Sequence, residues 1–274
     1  MPDNIDKAKQ KATDVITSNV DEMGQAAYYI MLSALEKHFD FKGGKIVADK
    51  NFVKQLNKLT VEVLDLLQAD PKFTGPVSQF IKRLTPISDV ITDFQKSENG
   101  ITVPSFAVAK NIVIDEIINQ MLENGLNENF VQPLRDLIYQ NVTSGLSLKD
   151  AKENIKEYIK GGKDQSGKLG QYLEQTAQQG VDSYSGMIST KLLEQFDYDG
   201  LLMTGSLIET SSPQCRFVRE ELDGKITREN WPQVKKIAEK HGLMPDTTFD
   251  NLPLHLLHWS CRHSFFPIRI NKTA

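Results

Sequence analysis

The sequence predicts a mainly α protein: a long-helix N-terminal region followed by a small α+β C-terminal domain. Three observations predict it. Apolar residues recur at three- and four-residue steps through the first 160 positions. A polar, glycine-rich stretch at 161–168, Gly-Gly-Lys-Asp-Gln-Ser-Gly-Lys, interrupts that rhythm. Beyond Gly200 the pattern changes to short apolar runs separated by turn signals. The expected division is residues 1–165 as a helical docking or assembly region and residues 166–274 as the α+β domain.

The elements come in order along the chain. Ile5, Ala8, Ala12, Val15, Ile16, Val20, Met23, Ala27, Ile30, Ala34 and Leu35 mark one long amphipathic helix ending near Gly43-Gly44. A second helix carries Phe52, Val53, Leu56, Leu59, Val63, Leu66 and Leu67, and stops before Pro71. A third carries Val77, Phe80, Ile81 and Leu84, and Pro86 is expected to break or kink it, because proline removes a donor and clashes one turn back. Pro104 suits the first turn of a fourth helix, whose apolar face reads Val108, Ile112, Val113, Ile117, Met121 and Leu122. Gly125 ends it, and Asn127 caps a fifth through Phe130, Val131, Leu134, Ile138 and Val142. Ser147-Leu-Lys-Asp150 is a capping box that opens a sixth, with Ile155 and Ile159 on its face. The seventh runs from about Leu169 to Phe196.

In the last third, Leu201 to Ile208 is expected to be a strand. Asp223-Gly224 is a turn signal between Phe217–Leu222 and Lys225–Ile226. Thr227 caps a short helix through Trp231, Val234 and Ile237, closed by Gly242, and Phe265, Phe266 and Ile268 suggest a final strand.

Composition excludes several classes. The 274 residues carry a formal net charge of -4, whereas a protein that coats nucleic acid usually has a strongly basic domain. No apolar run approaches the roughly 20 residues that span a bilayer. The polar stretch Met1 to Gln10 has no apolar segment of the signal-peptide kind, so folding in a cytosol is expected. Two cysteines, Cys215 and Cys261, exclude a disulfide-rich scaffold. Residues 162–168 fit G-x-x-x-x-G-K, but Leu169 stands next, where a phosphate loop needs Ser or Thr, and the preceding stretch has a helical period. That segment reads as a linker.

One constellation carries chemistry. Four of the five histidines (His241, His255, His258 and His263) fall in the last 34 residues, together with Cys261. Thiolate and imidazole are the ligands that tetrahedral zinc prefers. His258-Trp-Ser-Cys261-Arg-His263 can place two or three ligands around one point, and the distant Cys215 supplies another. Residues after Cys261 enter a strand, so Cys261 and His263 are expected on one face with Arg262 on the other. Three further readings stay open: a Cys215–Cys261 disulfide, two buried thiols in a small core, and a Cys/His hydrolase, for which no glycine-rich nucleophile turn is present.

The order Thr210-Ser-Ser-Pro-Gln-Cys215-Arg, Leu222-Asp-Gly-Lys-Ile226 and His258-Trp-Ser-Cys261-Arg-His263 resembles the Mu F-like minor head proteins of tailed bacteriophages. That family has a long helix, a strand, a cysteine-bearing turn, a Leu-Asp-Gly-Lys type hairpin and a terminal His-Pro-x-Cys-Arg-Cys. Here Ser212 stands where a first cysteine would fall, Trp259 replaces the proline and His263 replaces the last cysteine. The likeness covers about residues 125–270. It implies a minor structural head protein rather than an enzyme. Such a protein lies inside the capsid near the portal vertex, in several copies, after assembly in the host cytoplasm. Its partners are the portal or major capsid protein, and it acts in head assembly or in DNA packaging or ejection. The competing expectations are a cytosolic helical adaptor with a zinc-stabilised knob, and a hydrolase or toxin-related enzyme. No specific nucleic-acid or membrane binding is expected.

Overall fold

The computed structural model describes residues 2–162, 165–258, 261 and 263–270. Among them the chain is mainly helical with a small C-terminal sheet, the class that the hydrophobic pattern predicts. The N-terminal elements are α1 (Pro2–Thr17), α2 (Val20–His38), β1 (Phe41–Lys42), β2 (Lys45–Ile46), α3 (Phe52–Ala69) and α4 (Pro71–Asn99). Next come α5 (Ala107–Leu122), α6 (Asn124–Leu126), a π turn at Asn127–Val131, α7 (Gln132–Thr143), α8 (Leu148–Lys160) and α9 (Lys168–Gln195). The last part holds β3 (Gly200–Thr204), α10 (Pro213–Glu221), β4 (Lys225–Thr227), α11 (Trp231–Ala238), α12 (Leu252–His255) and β5 (Ser264–Ile268). No helix of the described residues is long and apolar enough to cross a membrane.

The chain forms two compact units, each discontinuous in sequence. One takes in the chain up to Lys11, Arg83–Ile114 and everything from Gln179; the other takes in Ala12–Lys82 and Asp115–Gln178. The expected single cut near residue 165 is not where they divide. The reason is helix length, since α1, α4, α5 and α9 each contribute residues to both.

The unit of Ala12–Lys82 and Asp115–Gln178 is built on the predicted stripes. Met23, Ala27 and Leu35 of α2, Leu56, Leu59 and Val63 of α3, Leu134 and Ile138 of α7, and Ile155 and Ile159 of α8 are all buried. Ser147 caps α8 at the expected place: its hydroxyl accepts from the Asp150 amide at 3.1 Å and donates to the Asp150 carboxylate at 2.6 Å.

Four local expectations are corrected. The single long N-terminal helix breaks at Ser18–Asn19, where the Ser18 hydroxyl bonds the Asp14 carbonyl at 2.6 Å and the Asn19 amide bonds the Val15 carbonyl at 2.7 Å. These side chains compete with the backbone for the same acceptors. Gly43 and Gly44, with φ of 59° and 71°, make the two-residue turn of a β1–β2 hairpin instead of ending a helix, so strands are not confined to the region beyond Gly200. Helix α4 continues through Pro86. Leu84, Ile87 and Ile91 around it are fully buried; at about 1.5–3 kcal/mol each, they outweigh the ~3 kcal/mol that an interior proline costs. On α5, Val108 and Ile112 are 77% and 65% exposed, while Ile117 and Met121 are buried. The break after α5 comes at Glu123, and Gly125 lies inside α6.

The α+β unit is organised on an antiparallel sheet of order β4-β3-β5. Leu201 faces Ile226 and Pro267, and Met203 faces Phe265, all in register. Residues 217–221 belong to helix α10 rather than to a hairpin strand, because Pro213 at the first helical turn starts a helix there. The Asp223-Gly224 turn then joins that helix to β4, with φ of 51° and 73°. Strand β3 ends at Thr204, short of the expected Ile208, and Gly205 turns the chain with φ of 95°. Lys9 of α1 is buried here and bonds both Asp182 of α9 and Ser264 of β5.

Candidate metal centre

Three features of the sequence hold the first cysteine in place. Ser212 is extended and Pro213 fixes the backbone for the first turn of α10, so Cys215 sits in that turn with its thiol fully buried. Arg216, next along, folds the preceding loop back onto the helix by donating to the Ile208 and Glu209 carbonyls at 2.9 and 2.8 Å. Gln214, also fully buried, donates to the Leu257 carbonyl at 3.5 Å and so ties α10 to the segment that carries the second motif.

That segment is shaped by α12 and the turn beyond its end. Gly186 of α9 lets the backbone of Pro253 approach closely. Leu256 then turns the chain with φ of 61° and ψ of 177°, a region essentially reserved for glycine. The amide of Cys261 donates to the His258 carbonyl at 3.1 Å. Strand β5 begins at Ser264, so Cys261 and His263 lie just ahead of it.

Three of the four sequence-predicted residues, Cys215, His258 and Cys261, form one cluster, and His263 meets it at Cys261. The Sγ atoms of Cys215 and Cys261 are 3.7 Å apart, across 46 residues of chain. One ligand atom each of Cys215, His258 and Cys261 lies within 4.8 Å of the others. The His263 Nδ1 is 3.6 Å from the Cys261 Sγ, so these two side chains do meet. The expected opposite facing of Arg262 lies outside the described residues, as do Trp259 and Ser260. His255 is engaged elsewhere, 3.4 Å from the Thr247 hydroxyl and 3.7 Å from Asp246, and His241 is exposed at the end of α11.

Burial and charge define the chemistry. Cys215 is 0% exposed and Cys261 and His263 are each 4% exposed, while His258 is half-buried. The Cys261 thiol, bonding to Cys215, drives Cys215 down to about 4; His263 and Ser212 act in the same direction, and burial opposes them. The same bond, reinforced by burial, drives Cys261 well up. The pair therefore titrates as a unit that gives up one proton readily and holds the other tightly. Among the described residues the Nε2 of His263 has no hydrogen-bond partner, which leaves sulfur as the polar company of a buried ring. A buried, electron-rich cluster of two thiols and imidazole suits a soft or borderline cation.

Gln214, the strained Leu256 and the bond of Lys9 to Ser264 are not foreseeable from the sequence as parts of this region. Lys9 gives one sequence signal: a charge set against the apolar stripe Ile5, Ala8 and Ala12. The G-x-x-x-x-G-K stretch is preceded by helix α8, not by a strand, and Gly161 and Ser166 pair in an isolated antiparallel bridge. Comparisons of the chain with protein-family models, curated proteins and solved structures give no match.

Proposed function

We propose that this chain is a minor structural head protein of a tailed bacteriophage whose α+β unit is clipped by a structural zinc ion. The observation that carries the zinc reading is the meeting of the two halves of the motif at one buried point. Zinc with sulfur at ~2.3 Å and imidazole nitrogen at ~2.0–2.1 Å gives tetrahedral S···S edges of about 3.8 Å and S···N edges of about 3.6 Å. The observed separations are 3.7 Å for Cys215–Cys261 and 3.6 Å for Cys261–His263. Cys215, Cys261, His263 and His258 would hold the ion. When bound, zinc supplies a cross-link between α10 and the start of β5, which helps a small sheet whose own core is limited.

The role is structural rather than catalytic, because a nucleophile must reach its substrate and Cys215 is fully buried. The head-protein reading rests on the likeness of the motifs at 210–216, 222–226 and 258–263 to the Mu F-like proteins, and the net charge of -4 fits docking on protein better than coating of DNA. Its partners are then the portal or major capsid protein, at the inner face of the portal vertex.

Two measurements test this. Metal analysis of the purified, reduced protein is expected to find one zinc per chain, absent from a Cys215→Ser, Cys261→Ser double variant; a metal-free wild type that cannot be reloaded overturns the zinc clip. Quantitative mass spectrometry of purified virions is expected to find the chain in head particles with portal. Its exclusion from virions and head shells overturns the head-protein reading and leaves a cytosolic adaptor.

A further inference from the structure

The two sulfurs that would share the metal are also placed to bond to each other. They are 3.7 Å apart and come from separate parts of the chain, the first turn of α10 and a position just ahead of β5. A disulfide bond of about 2.05 Å requires them to close by only ~1.7 Å. Both are free thiols, and the chain has no other cysteine, so neither has another intramolecular partner.

We infer that Cys215 and Cys261 form a redox-exchangeable clip, holding zinc when reduced and joining as a disulfide under oxidation, with release of the ion. This rests on the zinc reading. The step balances with hydrogen peroxide as the two-electron oxidant. One thiolate attacks the O–O bond and becomes a sulfenic acid, releasing hydroxide. The second thiolate displaces a second hydroxide from that sulfur and forms the S–S bond. Two electrons pass from the sulfurs to the peroxide oxygens, and Cys215 and Cys261, no longer thiolates, would cease to hold a zinc ion.

The sulfurs are buried, so attack requires local opening. The segment carrying Cys261 is joined to α12 through Leu256, whose φ of 61° is unfavourable for any residue but glycine. Opening relieves that backbone, and the half-buried His258 marks the exposed side of the cluster. Zinc is the cross-link suited to a reducing cytosol, and the disulfide is the one suited to an oxidising exterior.

The test uses the full chain loaded with zinc and treated with hydrogen peroxide. Released metal is read with a chromogenic chelator, thiols by titration and the link by peptide mass mapping. The expected result is one zinc released for two thiols lost, a Cys215–Cys261 peptide within one chain, and full reversal by dithiothreitol with added zinc. Retention of zinc, oxidation of either sulfur to sulfinic acid without a link, or links only between chains overturns the exchange while the zinc reading stands. A reduced protein that takes up no zinc at the outset overturns both.

Discussion

Gly186 and Pro253 meet backbone to backbone: a Cβ at position 186 would stand 2.4 Å from the Pro253 carbonyl oxygen. This contact seats α12 against α9 and thereby sets where Leu256, His258 and Cys261 begin. In an open helix, Gly→Ala gains about 1 kcal/mol. Here the added methyl must push a backbone apart, an overpacking cost of typically about 1–3 kcal/mol. Gly186→Ala is therefore expected to destabilise the α+β unit and to weaken zinc binding, read by urea denaturation and chelator competition. A variant as stable as wild type would show that the 252–258 segment yields freely.

Lys9 is the second tie within this unit. It is buried and paired with Asp182, with side chains 8% and 17% exposed, and it also bonds Ser264 at the start of β5. Removing one member of such a pair leaves a poorly solvated charge, a loss of about 3 kcal/mol. Lys9→Met is expected to cost that much and to raise hydrogen exchange in β3 and β5. The double variant Lys9→Met, Asp182→Leu is expected to recover most of the loss, since the stranded carboxylate is gone. A double variant no better than the single one would place the energy in the Ser264 bond instead.

Zinc loading is expected to raise thermal stability. Free metal at about a thousand times its dissociation constant adds about 4 kcal/mol, or roughly 8–16 °C for a chain of this size class. Calorimetry with and without chelator reads the shift. Cys261→Ser is expected to abolish it, because the serine hydroxyl is a poor ligand for zinc. A shift that survives in Cys261→Ser would move the metal to another set of residues.

Much of the fold is legible in the sequence because burial repeats with a period. The stripes on α2, α3 and α8 are readable from spacing alone, and Ser147 with Asp150 announces the start of α8. Helix breaks are less legible. Pro86 carries a strong local signal that the burial of Leu84, Ile87 and Ile91 overrides, and Ser18–Asn19 carry a weak one that their side-chain bonds to carbonyls make decisive. At the site, Cys215, His258, Cys261 and His263 stand out because soft side chains are few and pooled. Gln214 and Leu256 do not. A buried glutamine and a left-handed leucine are properties of the packed backbone, and neither residue type advertises them.

The shared proton of the cysteine pair makes a count that can be measured. Cys215 is driven down to about 4 and Cys261 is driven up, so near pH 8 the pair has given up one proton and still holds the other. Zinc requires both sulfurs as thiolates. Binding near pH 8 is therefore expected to expel about one proton from the thiols, where two independent thiols with ordinary values near 8.5 would together expel more. Protons compete with the metal, so affinity rises with pH, by about tenfold per unit where one proton is displaced. Calorimetric titration in buffers of different ionisation enthalpy gives the count directly. Cys215→Ser removes the partner that raises Cys261, so its remaining thiol should titrate lower than in wild type, read by the pH dependence of alkylation in the metal-free protein. An unchanged Cys261 profile in that variant would show that burial, not the Cys215 sulfur, holds the proton there.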